Sequence, residues 1–350
     1  MPFFESSLGL DAPVLQAPMA GAQGHALAAA VCEAGGLGAI PAAMLTLDAL
    51  DAELTALRQR TDRPFNVNFF CHRPPEPDAP QLARWHDALA PYYREFGLDP
   101  TQIPQGPGRL PFSADAAAVL AKHRPAVVSF HFGLPEPDLL ARVKQWGARV
   151  WSSATTVGEA LWLQQHGADA VIAQGLEAGG HRGMFLTDDL TTQVGTLALL
   201  PQIVAAVQVP VIAAGGVADA AGIAAAKALG ASAVQIGTAY LCTPEASISD
   251  LHRAALQSPA ARHTALTNLF SGRPARGIVN RVMRELGPLS AAAPAFPLAT
   301  AGIAPLRAAA EARGDPGFSP LWAGQNASRC RSIPAAELTR EWVQAWSALR

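Results

Sequence analysis

The chain alternates short apolar runs with segments of helical periodicity. The apolar runs are continuous rather than interleaved with polar positions, and Gly, Pro or polar turn residues follow each of them. Continuous runs of this kind are typical of strands buried on both faces of a parallel sheet. We count eight, which are Val14–Ala17, Leu37–Ile40, Phe65–Phe69, Ala126–Phe130, Arg149–Ser152, Ala170–Ala173, Pro210–Ala213 and Ala233–Ile236.

Most segments between these runs have the spacing of amphipathic helices. The predicted helices include His25–Ala34, Leu47–Arg60, Pro137–Trp146, Val157–His166, Gly195–Val207 and a helix within 217–230. Eight strand–helix units in about 240 residues match the size of a closed (β/α)8 barrel. We therefore predict an α/β fold of the TIM-barrel class over residues 1–242, with a doubly wound open sheet as the alternative.

Two stretches depart from this repeat. Residues 73–112 are rich in proline, contain a predicted helix over Gln81–Glu95, and form an insertion after the third strand. Insertions into barrels often shape the mouth of an active site. After Cys242 the repeat is lost, and residues 243–350 predict a mainly helical appendage that lines the active-site side.

Composition and charge narrow the class of protein. Half of the 350 residues are hydrophobic and the net charge is −2, which permits a large core and does not indicate a nucleic-acid partner. The four cysteines lie far apart, as expected for free thiols in a reducing compartment. The first residues lack a signal-peptide pattern, and no run is long enough to span a membrane. We expect a cytoplasmic protein without a membrane partner, either a monomer or a homodimer.

The seventh and eighth predicted strands each end in a glycine-bearing turn, at Gly215-Gly216 and Gly237-Thr238. Glycine lets backbone N–H groups approach an anion directly, because no side chain stands in the way. In barrels, the last two units often build a phosphate site from such turns. The two turns therefore predict a bound cofactor that carries a phosphate group.

Polar residues at other strand ends suggest contacts to the rest of that cofactor. Asn68 and Gln174 each offer a donor and an acceptor, which suits the edge of a heteroaromatic ring. Met19, in the turn after the first strand, offers a soft apolar surface to a flat ring. For the two amides the alternative is a bond to loop backbone, and for the turn it is an ordinary strand–helix connection.

His181 is the strongest catalytic candidate in the sequence. It follows Gly179-Gly180, a pair that allows the backbone to come close to a ligand. Histidine is suited to proton transfer or anion binding near neutral pH, although a loop histidine bonded to its neighbours is the alternative. His131 and Phe132, at the end of the fourth strand, are candidates for the substrate pocket, and His131 could equally be a satisfied rim histidine. The sequence lacks metal-ligand spacing and GxGxxG, so it predicts neither a metal site nor a Rossmann nicotinamide site.

Taken in order, these motifs resemble those of the nitronate monooxygenases. The matching segments are Gln16–Gly21, Ala28–Gly38, Phe65–Asn68, Gln174–Gly183, Ala213–Gly216 and Gln235–Thr238, and segments 128–135 and 321–325 resemble the class I branch. The resemblance implies an FMN-dependent (β/α)8 barrel. It also implies oxidation of alkyl nitronates with O2 to a carbonyl compound plus nitrite or nitrate, with propionate 3-nitronate as the substrate and detoxification as the role.

The same resemblance assigns residues to roles. His181 would be catalytic, and the residues that would bind FMN are Ala17, Pro18, Met19, Asn68, Gln174, Gly179, Gly180, Gly215, Gly216, Gln235, Ile236, Gly237 and Thr238. An FMN-dependent NAD(P)H:quinone or enoyl reductase on the same barrel is the first alternative. A flavin-free aldolase or isomerase for phosphorylated substrates is the second, and it would need a lysine or carboxylate at a strand end. The predicted strand ends carry no lysine, and Glu177 is the sole carboxylate nearby.

Overall fold

The computed structural model describes residues 3–103 and 109–349, so residues 104–108 of the predicted insertion lie outside this description. The described residues form eleven strands, numbered along the chain. They are β1 (Val14–Gln16), β2 (Gly38–Pro41), β3 (Phe65–Phe70), β4 (Val127–His131), β5 (Arg149–Ala154), β6 (Ala170–Gln174), β7 (Gly180–His181), β8 (Val211–Ala214), β9 (Ala233–Ile236), β10 (Thr264–Thr267) and β11 (Ala275–Ile278).

Eight of these strands form a parallel barrel. Their order in the sheet is β1-β9-β8-β6-β5-β4-β3-β2, and a parallel bridge between Leu15 and Leu37 closes the ring between β1 and β2. Each barrel strand overlaps one of the eight predicted apolar runs to within two residues at either end, and nearly all of the strand residues are buried. This closed parallel ring confirms the predicted TIM-barrel class. The runs are mostly apolar because the barrel interior encloses one face of each strand and the helices enclose the other.

Thirteen α-helices lie within the described residues. They are α1 (Phe3–Leu8), α2 (His25–Glu33), α3 (Leu47–Arg58), α4 (Ala79–Phe96), α5 (Ala114–His123), α6 (Pro137–Lys144), α7 (Val157–Gln165), α8 (Thr196–Ala206), α9 (Ala220–Ala228), α10 (Asp250–Gln257), α11 (Arg281–Leu286), α12 (Ala299–Glu311) and α13 (Ala335–Ala348). Side-chain caps fix several N-termini. Thr46, Thr156 and Asp219 each accept a bond from an amide in the first turn of α3, α7 and α9. No helix of the described chain is both long and apolar enough to cross a membrane.

The insertion and the appendage pack against each other beside the barrel. Helix α4 of the insertion lies on α12 of the appendage. The indole N–H of Trp85 donates to the Ala299 carbonyl at 3.1 Å, and the Tyr93 hydroxyl donates to the Gly302 carbonyl at 2.7 Å. These two aromatic residues belong to a separate hydrophobic cluster. The insertion and the appendage, which are separated by most of the barrel strands in the sequence, thus pack together as one unit.

The appendage also contains a hairpin that the sequence did not predict. Strands β10 and β11 pair antiparallel, and β11 pairs in turn with the two-residue strand β7. Thr264–Thr267 and Ala275–Ile278 are short and carry no alternation of apolar and polar positions, so the pattern gave no strand signal there. The hairpin matters because β7 carries His181.

The last helix returns to the barrel. Helix α13 packs against α2 and α9 on the outside of the ring, and its Trp342, Trp346 and Leu338 are buried in the main barrel cluster. It therefore lies where the eighth helix of a (β/α)8 ring is expected, although almost a hundred residues separate it from β9. The boundary at residue 242 stays a prediction.

Candidate active site

A cavity of about 460 Å³ lies at the carboxyl-terminal ends of the barrel strands. Most of the predicted site residues line it, namely Ala17, Pro18, Met19, Asn68, His131, Gln174, Gly179, Gly180, His181, Gly215, Gly216, Gln235, Gly237 and Thr238. Two predicted residues are placed elsewhere. Ile236 is 1 % exposed because successive side chains of a strand point in opposite directions, so Gln235 faces the cavity and Ile236 the core. Phe132 is buried behind the ring of His181.

The two glycine turns leave backbone donors open to this cavity. Gly215 and Gly216 have φ angles of +115° and +75°, in the region that favours glycine. The carbonyl of Gly216 accepts a bond from Asn326 Nδ2 at 2.8 Å. Within the described chain, no acceptor pairs with the amide N–H of Gly216 or of Thr238. Unpaired amides in glycine turns of this kind can donate hydrogen bonds to a phosphate group.

The turn after β1 forms the neighbouring wall. A β-carbon added at Gly237 would lie 3.2 Å from the β-carbon of Ala17 and 3.6 Å from the sulfur of Met19, so the two turns approach closely. At the end of β3, the Asn68 amide nitrogen donates to the hydroxyl and carbonyl oxygens of Ser129 at 2.9 and 3.2 Å. No described residue donates to Asn68 Oδ1. This oxygen is therefore available to accept a hydrogen bond from a ligand.

Gln174 and His131 hold the loop that carries His181. The Gln174 amide nitrogen donates to the His181 carbonyl at 2.9 Å, and its oxygen accepts from the Gly183 amide at 2.7 Å. His131 Nε2 donates to the same His181 carbonyl at 3.1 Å, and its Nδ1 accepts from the Ser153 hydroxyl at 3.0 Å. Both side chains therefore bind loop backbone, which is the alternative that the sequence left open for them. Their contacts to a cofactor or substrate stay predictions.

The His181 side chain is oriented by the appendage. Its backbone pairs with Ala275 of β11, and its Nε2 lies 2.8 Å from the hydroxyl oxygen of Ser271. The Ser271 hydroxyl lies 3.4 Å from the Arg273 carbonyl, to which it can donate. In the tautomer protonated at Nε2, the hydroxyl accepts from Nε2–H, and the lone pair of the imidazole is on Nδ1. No partner for Nδ1 occurs among residues 3–103 and 109–349, so Nδ1 is free to take a proton.

Apolar surroundings keep this imidazole neutral. Its ring centroid lies 6.0, 6.1, 5.4 and 5.6 Å from those of Phe70, Phe132, Phe296 and Trp322. Burial is the main reason that the pKa of His181 lies well below its ordinary value, and the positive charge of Arg109 lowers it further. A neutral imidazole with an unpartnered nitrogen can act as a general base at neutral pH without first losing a proton.

The buried histidines predict loss of stability in acid. Burial lowers the pKa of His131 to about 3 and those of His72 and His252 to about 4, whereas an unfolded histidine titrates near 6.5. The unfolded chain therefore binds more protons below pH 6.5, and stability falls as the pH drops from 6.5 towards 4. At pH 5 each of these histidines should cost about 2 kcal/mol.

Urea unfolding at pH 7.5 and pH 5.0 tests this expectation. The midpoint should be clearly lower at pH 5.0, and the His252→Gln variant should show a smaller difference between the two pH values. His263→Asn is the matched control, because His263 is exposed, and it should retain the full difference. Equal midpoints at the two pH values would contradict the buried neutral state of these residues.

The cavity wall offers little to aldolase or isomerase chemistry. The Glu177 carboxylate accepts bonds from the amide and hydroxyl of Thr196 at 2.7 and 2.8 Å, so it caps α8. Glu311 is the acidic residue among the lining side chains, and it is bonded to Arg307 and Ser319. The described lining contains no lysine. Across the described residues, no group of three or more His, Cys, Asp or Glu is placed to hold a metal ion.

Sequence reasoning missed several residues of this site. Ser271 lies between β10 and β11, where no motif indicated a contact with His181. Phe70 and Ser153 extend two predicted strands by one or two residues, and Phe296 comes from the segment between α11 and α12. Arg109 stands in the insertion, and its proximity to the cavity depends on how the insertion folds back. Only Trp322 carried a signal, as part of a segment that resembles class I.

A parallel (β/α)8 barrel, with a mainly apolar cavity at its carboxyl-terminal rim into which a few polar groups converge, defines the class of the molecule as a barrel enzyme. The family model "Nitronate monooxygenase" matches residues 3–345. The chain belongs to the nitronate monooxygenase family, and the resemblance stated from the motifs is confirmed. The family is a flavin-using family of oxidoreductases.

Individual relatives agree with this assignment. The chain is 45 % identical to a nitronate monooxygenase of Paraburkholderia phytofirmans, over 98 % of this chain and 95 % of the relative. It is 44 % identical to a nitronate monooxygenase of Pseudomonas aeruginosa, over 97 % of this chain and 98 % of the relative. These matches extend over the barrel, the insertion and the appendage together.

Two kinds of solved structure are similar to the fold. A nitroalkane oxidase from Streptomyces ansochromogenes superposes with a TM-score of 0.89 and 41 % identity, and the match covers 99 % of both chains. FabK from Thermotoga maritima superposes with a TM-score of 0.72 and 29 % identity, over 98 % of this chain and 95 % of that one.

Proposed function

We propose that the protein is an FMN-dependent monooxygenase that oxidises alkyl nitronates with O2 to a carbonyl compound plus nitrite or nitrate. One observation carries the proposal. A neutral imidazole with an unpartnered Nδ1 and two glycine turns with unpaired amides open on the same cavity of about 460 Å³. The first group suits removal of an α-proton, which converts a nitroalkane into its nitronate, and the second suits the phosphate of a mononucleotide cofactor.

The donor and acceptor groups of the cavity suit FMN. The amides of Gly216 and Thr238 would bind its phosphate, Asn68 Oδ1 would accept from a ring N–H, and Met19 would contact the face of the ring. When bound, FMN supplies an electron acceptor that reacts with O2, which the protein side chains cannot provide. The chain's own task is to bind, orient and shield the reactants.

His181 would act differently on the two forms of a nitro compound. For a neutral nitroalkane, Nδ1 would take the α-proton, and the resulting imidazolium would pair with the nitronate. A neighbouring anion raises the pKa of a histidine and so stabilises that charged state. A preformed nitronate needs no proton removed, and the four aromatic rings around His181 would exclude water from it.

The resemblance favours propionate 3-nitronate as the physiological substrate. This compound is a metabolic poison, so its oxidation would be a detoxification. The alternative is a flavin reductase for an enoyl thioester or quinone on the same barrel, and the compound that reduces the cofactor distinguishes the two functions.

Absorption spectroscopy and oxygen uptake test the proposal together. The purified protein should be yellow with two visible absorption bands, and it should consume O2 when propionate 3-nitronate is added. In anaerobic mixing, the visible absorbance should fall rapidly with the nitronate and slowly with NADH. The reverse order would favour the reductase. A colourless protein that cannot be reconstituted with FMN would exclude both flavin functions.

A further inference from the structure

Arg109 is a partly buried arginine in the wall of the cavity that contains His181. Its carbonyl accepts a bond from His72 Nε2 at 3.1 Å, which ties the backbone of this residue to the end of β3. Its guanidinium donates to the Thr300 hydroxyl at 3.3 Å and lies 5.7 Å from the centre of the Phe296 ring. The bond from His72 therefore fixes the backbone of Arg109, and the appendage holds its side chain in the wall of the cavity.

No carboxylate compensates the charge of Arg109 among the described residues. Burial lowers its pKa, and no acidic group counteracts this shift. The only acidic side chain of the described lining, Glu311, is bonded to Arg307 and Ser319 instead. A guanidinium has five N–H donors and remains charged in proteins, and the structure uses one of them on a neutral hydroxyl. A buried charge that lacks a partner is costly unless a ligand supplies the opposite charge.

The electrostatic effect of Arg109 reaches His181. Among the charged groups that lower the pKa of His181, Arg109 has the largest effect after burial itself. Both residues line the same cavity, and the Phe296 ring lies 5.4 Å from the His181 ring and 5.7 Å from the guanidinium carbon of Arg109, so a small ligand can contact both side chains. A ligand with an anionic group a few bonds from its reacting carbon can place that group at Arg109 while the carbon lies at His181.

We infer that Arg109 is the specificity-determining residue that binds the carboxylate of a carboxylated nitronate, whose reacting carbon lies at His181. This inference rests on the proposed function and adds to it the group that distinguishes a dianionic nitronate from an alkyl nitronate. A planar guanidinium matches a carboxylate through two parallel hydrogen bonds, which a lysine cannot reproduce.

Two substrates of equal chain length test the inference. Propionate 3-nitronate carries a carboxylate where propyl 1-nitronate carries a methyl group. Arg109→Met should lower kcat/KM for propionate 3-nitronate about 30-fold more than for propyl 1-nitronate, as expected for loss of a charge-assisted bond. The difference should lie mainly in KM. Arg109→Gln should show the same selective loss, and Arg109→Lys should restore part of it.

Two controls separate specificity from folding and from net charge. Visible absorbance reports the cofactor content of each variant, and Arg340→Met removes one positive charge at an exposed position near the middle of α13. Arg340→Met should retain the parental ratio of the two kcat/KM values. Equal losses for both substrates in Arg109→Met and Arg109→Gln, or no change in the ratio, would overturn the inference. If the parental protein oxidises neither nitronate, the proposed function itself fails.

Discussion

Replacement of His181 by asparagine is expected to lower turnover of a neutral nitroalkane about 100-fold, the typical contribution of a general base. Asparagine retains a polar group next to Ser271 but has no lone pair of comparable basicity at the Nδ1 position. Turnover of a preformed nitronate should fall much less, because that substrate has already lost its proton. Steady-state oxygen uptake with nitroethane and with ethyl nitronate measures the two effects.

His263→Asn provides the matched control for this experiment. It makes the same substitution at an exposed histidine of the appendage and should leave both rates at the parental level. Visible absorbance should show that His181→Asn still contains its flavin. Unchanged rates with the neutral nitroalkane would remove His181 from the reaction. A loss of equal size with both substrates would mean that His181 binds the anion rather than removes a proton.

Replacement of Gly216 by aspartate is expected to abolish stable binding of FMN. The new carboxylate would stand beside the amides that are proposed to bind the phosphate. Two like charges about 4 Å apart repel by about 4 kcal/mol near a protein surface, which corresponds to about a thousandfold rise in Kd. The variant should purify colourless, and fluorescence titration with FMN measures the change in Kd.

The chain offers an unusually close control for this substitution. Gly314 also has a φ of +75°, is exposed, and would have no heavy atom within 4 Å of an added β-carbon. Gly314→Asp therefore imposes a similar backbone strain and the same charge at the end of α12. It should purify yellow with a parental Kd. If both variants bind FMN alike, the turn at Gly216 does not hold the phosphate.

The barrel was predictable because its signals are local. Each strand is a single apolar run such as Ala170–Ala173, and each glycine turn follows its strand directly in the chain. Hydrophobic periodicity and turn residues report such features without knowledge of the tertiary structure. The same holds for the position of His181, since a strand end in a barrel implies a place at the rim.

The partners of His181 were not predictable in the same way. Ser271 and Arg109 lie ninety residues after and seventy-two residues before His181 in the sequence, and neither belongs to a periodic segment. Their proximity to the imidazole depends on the pairing of β7 with β11 and on the packing of α4 against α12. Short strands such as Thr264–Thr267 do not alternate apolar and polar positions, so the sequence does not predict them. The contacts that depend on these strands are therefore seen only in the folded chain.

The pairing of β7 with β11 also has a consequence for biosynthesis. A ribosome that has completed β9 has made every barrel strand, yet His181 still lacks Ser271 and the α2–α9 gap lacks α13. The nascent polypeptide therefore cannot complete the wall of the cavity, to which residues 319–326 contribute, until its final segment leaves the exit tunnel. Premature termination between residues 243 and 270 would yield a product that holds all eight barrel strands but lacks Ser271 and α13.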